Sequence, residues 1–205
     1  MKTKLNSIRL LTVVLIVCWG WLEAIGQSSI ELRFLGRYST NTYDAGGAEI
    51  AAYDAATKRL FSVNASTGSV DILNISNPST PTLISSFGLS AYGAAANSVA
   101  AKNGIIAIAV EAVVKQDPGK VVFIDANANV LNVVNVGALP DMLCFSPDGN
   151  YVLVANEGEP NSSYTIDPEG SVSVINISGG VASASVSTAG FQSFNGTNLP
   201  YGIQP

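Results

Sequence analysis

The sequence predicts an all-β protein, a β-propeller of four-stranded antiparallel blades, and two observations lead to this prediction. Three similar stretches begin at Gly68, Gly119 and Gly170, each 51 residues after the one before. Within each period, short runs of β-branched and apolar residues alternate with turn residues, as strands and tight turns do. A β-rich unit of this length cannot bury its apolar face alone, so the repeat predicts blades that stack on one another.

Each of the first and third periods opens with a β-hairpin. Residues 49–64 and 141–156 align without a gap, and the turn of the second hairpin contains Pro147, Asp148 and Gly149. Proline presets φ for such a turn, aspartate bonds back to the backbone, and glycine takes the left-handed position. The glycine-led strand and a fourth strand follow, which gives the four strands of a propeller blade. We expect a partial propeller over residues 27–205, with about three blades at residues 45–90, 91–138 and 139–190 and an incomplete ring.

The amino terminus has the pattern of a secretory signal peptide. Three basic residues precede the apolar run 10–22, and Ala24 and Gly26 then supply the small residues of a cleavage site. The run is shorter than the ~20 residues that a transmembrane helix needs. We therefore predict a signal peptide at residues 1–26 and a secreted or cell-surface chain with no transmembrane span after cleavage. A lipoprotein signal at Cys18 and an uncleaved signal anchor are the alternatives.

Composition excludes several classes of function. The chain has 10 basic and 15 acidic residues and a net charge of −5, so we expect it to repel nucleic acid. It contains no histidine, which removes the Ser-His-Asp triad, the Cys-His dyad and imidazole ligands for zinc. Cys144 is alone after the predicted cleavage, so no internal disulfide is expected, and its apolar strand predicts a small core residue. We predict no catalytic residue and no organic cofactor.

One loop of the third period groups side chains that carry oxygen atoms. They are four carboxylates and one amide at short spacing: Asn156, Glu157, Glu159, Asp167 and Glu169. Calcium takes about six to eight oxygen ligands at loose geometry, so these residues are candidate calcium ligands and calcium is the one candidate cofactor. The alternative is a solvated acidic loop in which prolines and Gly170 set turns. Glu111 and Asp117 lie in the equivalent loop of the second period, and if equivalent loops gather at one rim of a propeller, their carboxylates converge with those of the third period. The alternative is that each is an isolated surface charge.

Several stretches carry a resemblance to a known family: residues 48–54 with 59–61 and 63–64, 136–142, 154–160 and 164–174. They resemble the choice-of-anchor I domain, and the Asn-Glu-Gly-Glu-Pro string at 156–160 is the most specific of them. The resemblance covers residues 31 to about 190. It implies a seven-bladed, YVTN/WD40-like propeller, similar to the mesenchyme-specific cell surface glycoproteins, that is secreted and held at the surface by a carboxy-terminal anchor. This chain ends before the later blades, so we expect an amino-terminal fragment whose ring is closed by missing blades or by a second chain.

Two functions from different classes remain open. The preferred hypothesis is a non-catalytic binding or adhesion module that binds an extracellular protein or glycan. The repeats, the predicted leader and the lack of a nucleophile-base pair favour it. The alternative is a calcium-dependent, phosphatase- or phytase-like hydrolase, in which an acidic propeller rim holds metal ions against phosphate oxygens.

Overall fold

The structure, a computed structural model, describes residues 30–194. The signal peptide predicted at residues 1–26 lies outside the described residues and stays a prediction. Backbone contacts divide the chain into Met1–Phe34 and Leu35–Pro205. Residues 30–34 contain no helix or strand, and all the regular structure described below belongs to the second part.

Three antiparallel sheets of four strands follow one another along the chain, and each is formed by consecutive strands. Blade 1 contains β1 (Ala51–Asp54), β2 (Arg59–Asn64), β3 (Ser69–Asn74) and β4 (Thr82–Gly88). Blade 2 contains β5 (Ala95–Lys102), β6 (Ile105–Glu111), β7 (Pro118–Asp125) and β8 (Val130–Ala138). Blade 3 contains β9 (Pro140–Phe145), β10 (Tyr151–Asn156), β11 (Ser171–Asn176) and β12 (Ser185–Gly190). Two short 3-10 helices, Val181–Ser183 and Gln192–Phe194, complete the regular structure of residues 30–194.

The blades stack face to face with their first strands together, since β1 contacts β5 and β5 contacts β9. This is the arrangement of strands around a propeller axis. The predicted fold class, an all-β propeller of four-stranded antiparallel blades, is confirmed. The hairpin turn at residues 146–149 has the chemistry that the sequence predicts, because Gly149 has a φ of +78°. The hydroxyl of Ser146 donates to the carboxylate of Asp148, and this bond lowers the pKa of Asp148.

Each blade has an upstream face, toward the preceding blade in chain order, and a downstream face, toward the following one. The downstream face of blade 1 packs against the upstream face of blade 2 in one apolar cluster, which includes Phe61, Ile72 and Ile108. The downstream face of blade 2 packs against the upstream face of blade 3 in a second cluster, which includes Phe123 and Val154. Blade 2 is therefore covered on both faces. This explains why β6 is apolar at every position except its last.

The downstream face of blade 3 is apolar but exposed. The side chains of Met142, Cys144, Tyr151 and Leu153 lie on this face, and all four are exposed. Leu153 occupies the position of Phe61 in blade 1 and Ala107 in blade 2, which are both fully buried by the next blade. The prediction of Cys144 as a core residue is wrong for a physical reason: its strand is apolar, but within residues 30–194 no blade covers this side of it.

A hydrogen-bonded aspartate connects blades 1 and 2 at the end of the sheets where the hairpin turns lie. Asp54 Oδ2 accepts from the backbone N–H and the hydroxyl of Thr57, at 3.0 and 2.6 Å. Asp54 Oδ1 accepts from the N–H of Gly104 in the blade 2 turn, at 3.1 Å. Burial raises the pKa of this carboxyl, but the hydrogen bonds together lower it by more than burial raises it. The pKa of Asp54 therefore lies below its ordinary value of 3.8.

We expect Asp54→Asn to lower the free energy of unfolding by about 1–2 kcal/mol at neutral pH. Because the folded-state pKa is depressed, this stabilisation is present above the unfolded-state pKa, about 3.8, and is lost as the pH falls through the lower folded-state pKa. Urea unfolding of wild type and variant, at neutral pH and below pH 3, measures the difference in free energy of unfolding at each pH. The difference between wild type and variant should shrink in acid, and the exposed Asp117→Asn control should stay close to wild type. A difference that is the same at both pH values would contradict this prediction.

Candidate functional site

Two long loops lie side by side at the end of the blades opposite the hairpin turns. They are residues 112–117 of blade 2 and residues 157–170 of blade 3, called here the rim loops. Gln116 Nε2 donates a hydrogen bond of 3.1 Å to the backbone oxygen of Glu159 and so joins them. The two loops that carry acidic residues are thus in contact, while convergence of their carboxylates on one site stays a prediction.

The longer rim loop is held at its base by backbone hydrogen bonds. The N–H of Glu157 donates to the oxygen of Leu139 at 2.9 Å, and the N–H of Gly158 donates to the oxygen of Ala138 at 3.2 Å. Gly158 has a φ of +67°, and a β-carbon added there would lie 2.5 Å from the oxygen of Pro168. Only glycine fits this crossing of the two loop arms. The Asn-Glu-Gly-Glu-Pro string therefore fixes the geometry of the loop.

The tip of the longer loop is a turn organised by Asn161. The Asn161 backbone oxygen accepts from the N–H of Tyr164, and its side-chain Oδ1 accepts from the N–H of Thr165, both at 2.9 Å. An asparagine side chain that bonds to backbone two or more residues ahead stabilises such turns. In this turn the side chains of Tyr164 and Ile166 are exposed to solvent.

Apolar and acidic side chains share the exposed surface of the rim loops. Val113 is 80% exposed and Tyr164 is 79% exposed, and Val114 and Ile166 are also exposed. The exposed carboxylates on the same two loops are those of Asp117, Glu157, Glu159, Asp167 and Glu169. Lys115 is the one basic residue in these loops. Exposed apolar side chains grouped on a rim of polar residues are typical of an interaction surface.

The five candidate calcium ligands are distributed over two environments. Glu157, Glu159, Asp167 and Glu169 are exposed on the rim loop, and Glu169 accepts a hydrogen bond from Gln192. Asn156 is instead 4% exposed and lies at the end of β10, on the upstream face of blade 3. Across residues 30–194, no three histidine, cysteine, aspartate or glutamate side chains are grouped closely enough to hold a metal ion. Calcium binding by these residues stays a prediction.

The buried amide of Asn156 is part of a polar cluster between blades 2 and 3. Its Nδ2 donates to the hydroxyls of Ser171 and Ser173, at 3.1 and 2.9 Å. Its Oδ1 is buried without a hydrogen-bond partner. Gly137 of blade 2 packs against it so closely that an added β-carbon would lie 2.7 Å from Cγ of Asn156. In this position, Asn156 serves the packing of two blades.

The structure also reveals a pair of polar residues that the sequence analysis did not single out. β-Bulges interrupt the pairing of β5 at Asn97 and of β9 at Asp141, which are equivalent positions on neighbouring first strands. Bulges are frequent beside functional sites because they redirect a side chain. Asn97 Nδ2 donates to the oxygen of Pro140 in blade 3, at 3.1 Å. The sequence did hold a signal for this position. In the gap-free alignment of the hairpins, Asp141 of blade 3 is matched by another acidic residue, Glu49 of blade 1.

The fold and the rim loops define a β-propeller that presents a loop-built surface at one end. The model of the choice-of-anchor I domain matches residues 49–203. The chain belongs to the choice-of-anchor I domain family, as its resemblance implied. Membership of this family indicates a surface-anchored or secreted protein. Within residues 30–194, the helices are too short to cross a membrane.

Several solved structures are similar to this chain. Hydrazine synthase of Kuenenia stuttgartiensis is 14% identical, with a TM-score of 0.38, over 70% of this chain and 54% of that one. A protein from Lactobacillus plantarum is 17% identical, with a TM-score of 0.49, over 70% of this chain and 41% of that one. A luciferin-regenerating enzyme is 14% identical, with a TM-score of 0.47, over 61% of this chain and 43% of that one. The chain thus spans about half or less of their lengths. No curated protein matches it.

Proposed function

We propose that the protein is a non-catalytic binding module of the cell surface and that its rim loops bind an extracellular protein with basic and apolar side chains. One observation carries the proposal: two hydrogen-bonded loops from neighbouring blades expose four large apolar side chains among carboxylates. The family membership supports the location. The chain lacks histidine, the most frequent acid-base residue of enzymes, and this favours a binding role.

The chemistry of the rim loops favours a protein over a glycan as the partner. Val113, Val114 and Ile166 are aliphatic and offer no hydrogen bond to sugar hydroxyls. Full burial of such a side chain contributes about 1.5–3 kcal/mol, and a tyrosine such as Tyr164 is a frequent energetic centre of protein interfaces. Five carboxylates against one lysine make the surface acidic, so a basic partner is attracted and oriented by charge.

The binding test is a peptide-display selection on the immobilised protein, followed by affinity measurement of single peptides. We expect the selected peptides to combine lysine or arginine with apolar residues. The double variant Tyr164→Ser/Ile166→Ser should lower their affinity at least tenfold, because it removes about 1.4 kcal/mol or more of apolar contact. Leu83→Ser/Ile84→Ser is the matched control, because these exposed side chains lie on β4 of blade 1. Peptides that bind the rim variant as tightly as wild type would contradict the proposal.

A second part of the proposal concerns closure of the ring. We propose that the downstream face of blade 3 packs against a further four-stranded blade, from the same protein or from a second chain. The support comes from equivalent positions: Val172 and Val174 of blade 3 correspond to Val121 and Phe123 of blade 2, which blade 3 buries completely. The same apolar pattern on blade 3 therefore fits the same kind of neighbour.

A further inference from the structure

A second exposed surface lies at the end of blades 1 and 2 opposite the rim loops. It is called here the hairpin-end surface and consists of two turns, residues 53–59 and 101–104, and two strand starts, residues 82–84 and 130–131. We propose that the partner of the rim loops is a second copy of this chain, bound through its hairpin-end surface. This inference rests on the proposed function, because it names the partner of the same loops. A closing blade packs on the faces of blades 1 and 3, so ring closure leaves both ends of the blades open.

The two ends of the blades differ in charge. Lys58, Arg59 and Lys102 belong to the hairpin-end surface, whereas the rim loops carry five carboxylates and one lysine. The aspartates of the neighbouring turns, Asp54 and Asp125, each accept three hydrogen bonds within the protein. The exposed Lys58 is therefore available to carboxylates of another molecule. A basic end and an acidic end on one chain attract each other between copies.

Hydrogen bonds between blades 1 and 2 hold the hairpin-end surface in place. The guanidinium of Arg59 in blade 1 donates to the backbone oxygen of Ala126 and to Oδ1 of Asn127, both in blade 2. The bond from the N–H of Gly104 to Asp54 is a second connection between the same blades. A surface that is ordered before binding loses little conformational entropy on association.

Exposed apolar side chains complete the hairpin-end surface. Leu83 and Ile84 lie at the start of β4, and Val130 and Leu131 lie at the start of β8. The strand register leaves Ile84 and Leu131 unpaired in β-bulges at equivalent positions. Such bulges interrupt a sheet edge and redirect its side chains, so contact through side chains is favoured over strand pairing. The surface thus combines basic and apolar groups, as the partner of the rim loops should.

A cavity of about 220 Å³ between the hairpin turns of blades 1 and 2 can receive a side chain of the rim loops. A cavity of about 150 Å³ already admits a benzene ring, so Tyr164 or Ile166 at the tip of the longer rim loop fits by size. Lys102 on the cavity wall offers its ammonium to the carboxylate of Asp167, which follows Ile166. The other lining residues are Tyr53, Asp54, Ala55, Ala56, Ala101 and Asn103.

Contact between the rim loops of one copy and the hairpin-end surface of the next is heterologous. Every pair of copies then keeps one free surface of each kind, so association continues beyond two copies. The symmetric alternative, in which rim loops meet rim loops, would place two acidic surfaces against each other and is disfavoured by charge.

The first test is sedimentation velocity of the full chain over a range of concentrations, in low salt and in about 0.5 M NaCl. We expect the mass of wild type to grow with concentration beyond two units in low salt, and the association to weaken at least tenfold in high salt. Lys115→Glu adds negative charge to the rim loops themselves, so this control should associate at least as strongly as wild type. Peptides selected on the rim loops should dissociate the wild-type assembly.

The decisive test mixes two variants that each lack one of the two surfaces. Tyr164→Ser/Ile166→Ser changes the rim loops, and Lys58→Glu/Lys102→Glu changes the hairpin-end surface. Each variant alone should keep the mass that wild type has at the lowest concentration. In the mixture, the intact rim loops of one variant meet the intact hairpin-end surface of the other. The mixture should therefore form pairs with one unit of each variant and nothing larger.

Three results would overturn the inference. They are a wild-type mass that is independent of concentration, variants that each associate as wild type does, and a mixture that forms no pairs although wild type associates. The second result would place the contact elsewhere, for example on the open faces of the blades, which both variants retain. If wild type does not associate but selected peptides bind the rim loops, the proposed function stands and only this inference fails.

Discussion

Phe123→Ala should lower the free energy of unfolding by about 3–5 kcal/mol, because it opens a cavity between blades 2 and 3. Phe123 is fully buried, and its strand partner Ala107 is fully buried beside it. In blade 1 the corresponding pair is Phe61 on the second strand and Ile72 on the third. In blade 2 the phenylalanine is on the third strand, and the second strand has the smaller residue. In blade 2, therefore, only an alanine is left beside the vacated space. It fills little of that space, and we expect a loss in the upper part of this range.

Urea unfolding of wild type and variant measures this loss, and Leu131→Ala is the control. Leu131 lies on the outer strand β8 of the same blade and is partly exposed, so its removal should cost less than about 1 kcal/mol. The denaturant slope should be the same for all three proteins if the folded and unfolded states are otherwise unchanged. A loss below about 1.5 kcal/mol for Phe123→Ala would mean that the blades close around the vacated space and would refute close packing at this interface.

Gly158→Ala should disrupt the longer rim loop and with it the proposed binding surface. The left-handed conformation alone costs a residue with a β-carbon about 1–2 kcal/mol. At Gly158 the added carbon would also lie 2.5 Å from the oxygen of Pro168, which belongs to the backbone and cannot rotate away. We therefore expect a total loss of about 2–4 kcal/mol, either in global stability or as local opening of the loop.

Gly68→Ala separates the cost of the left-handed backbone conformation from the cost of the steric clash. Gly68 has a φ of +61°, close to that of Gly158, but an added β-carbon would meet no atom within 4 Å. Its variant should show the conformational cost alone. Hydrogen exchange of the Glu157 and Gly158 amides, which bond to β8 and the residue after it, reports whether the loop base has opened. Equal losses for the two variants, with these amides still protected, would contradict the steric argument.

The sequence was sufficient to predict the blades because their determinants are local. Alternating apolar residues define strands, and Pro147, Asp148 and Gly149 define a turn with little help from the rest of the chain. The 51-residue repeat then indicates how the units stack. The faces of the strands were less predictable. The apolar strand around Cys144 is the same whether that face is covered or open, so the burial of Cys144 depends on whether another blade covers it.

The candidate site was predictable only in part, for a related reason. Sequence spacing places Asn156 beside Glu157, but the strand β10 ends between them, so one is buried between blades and the other is exposed. The exposed apolar tips at Val113 and Tyr164 were not singled out, because a short apolar stretch in a loop gives no periodic signal. The 51-residue repeat aligns Asp71 with Val122 and Ser173, but the burial of Asp71 and its hydrogen bonds to Asn64 and Ser86 become visible only in the structure.

The order of the blades along the chain also affects its synthesis. The downstream face of each blade is covered by residues that are translated one repeat later, 51 residues further on. At a ribosomal rate of about 5–20 residues per second, a newly made blade leaves Phe61 or Phe123 without its covering partner for about 3–10 seconds. During that interval, aggregation competes with folding.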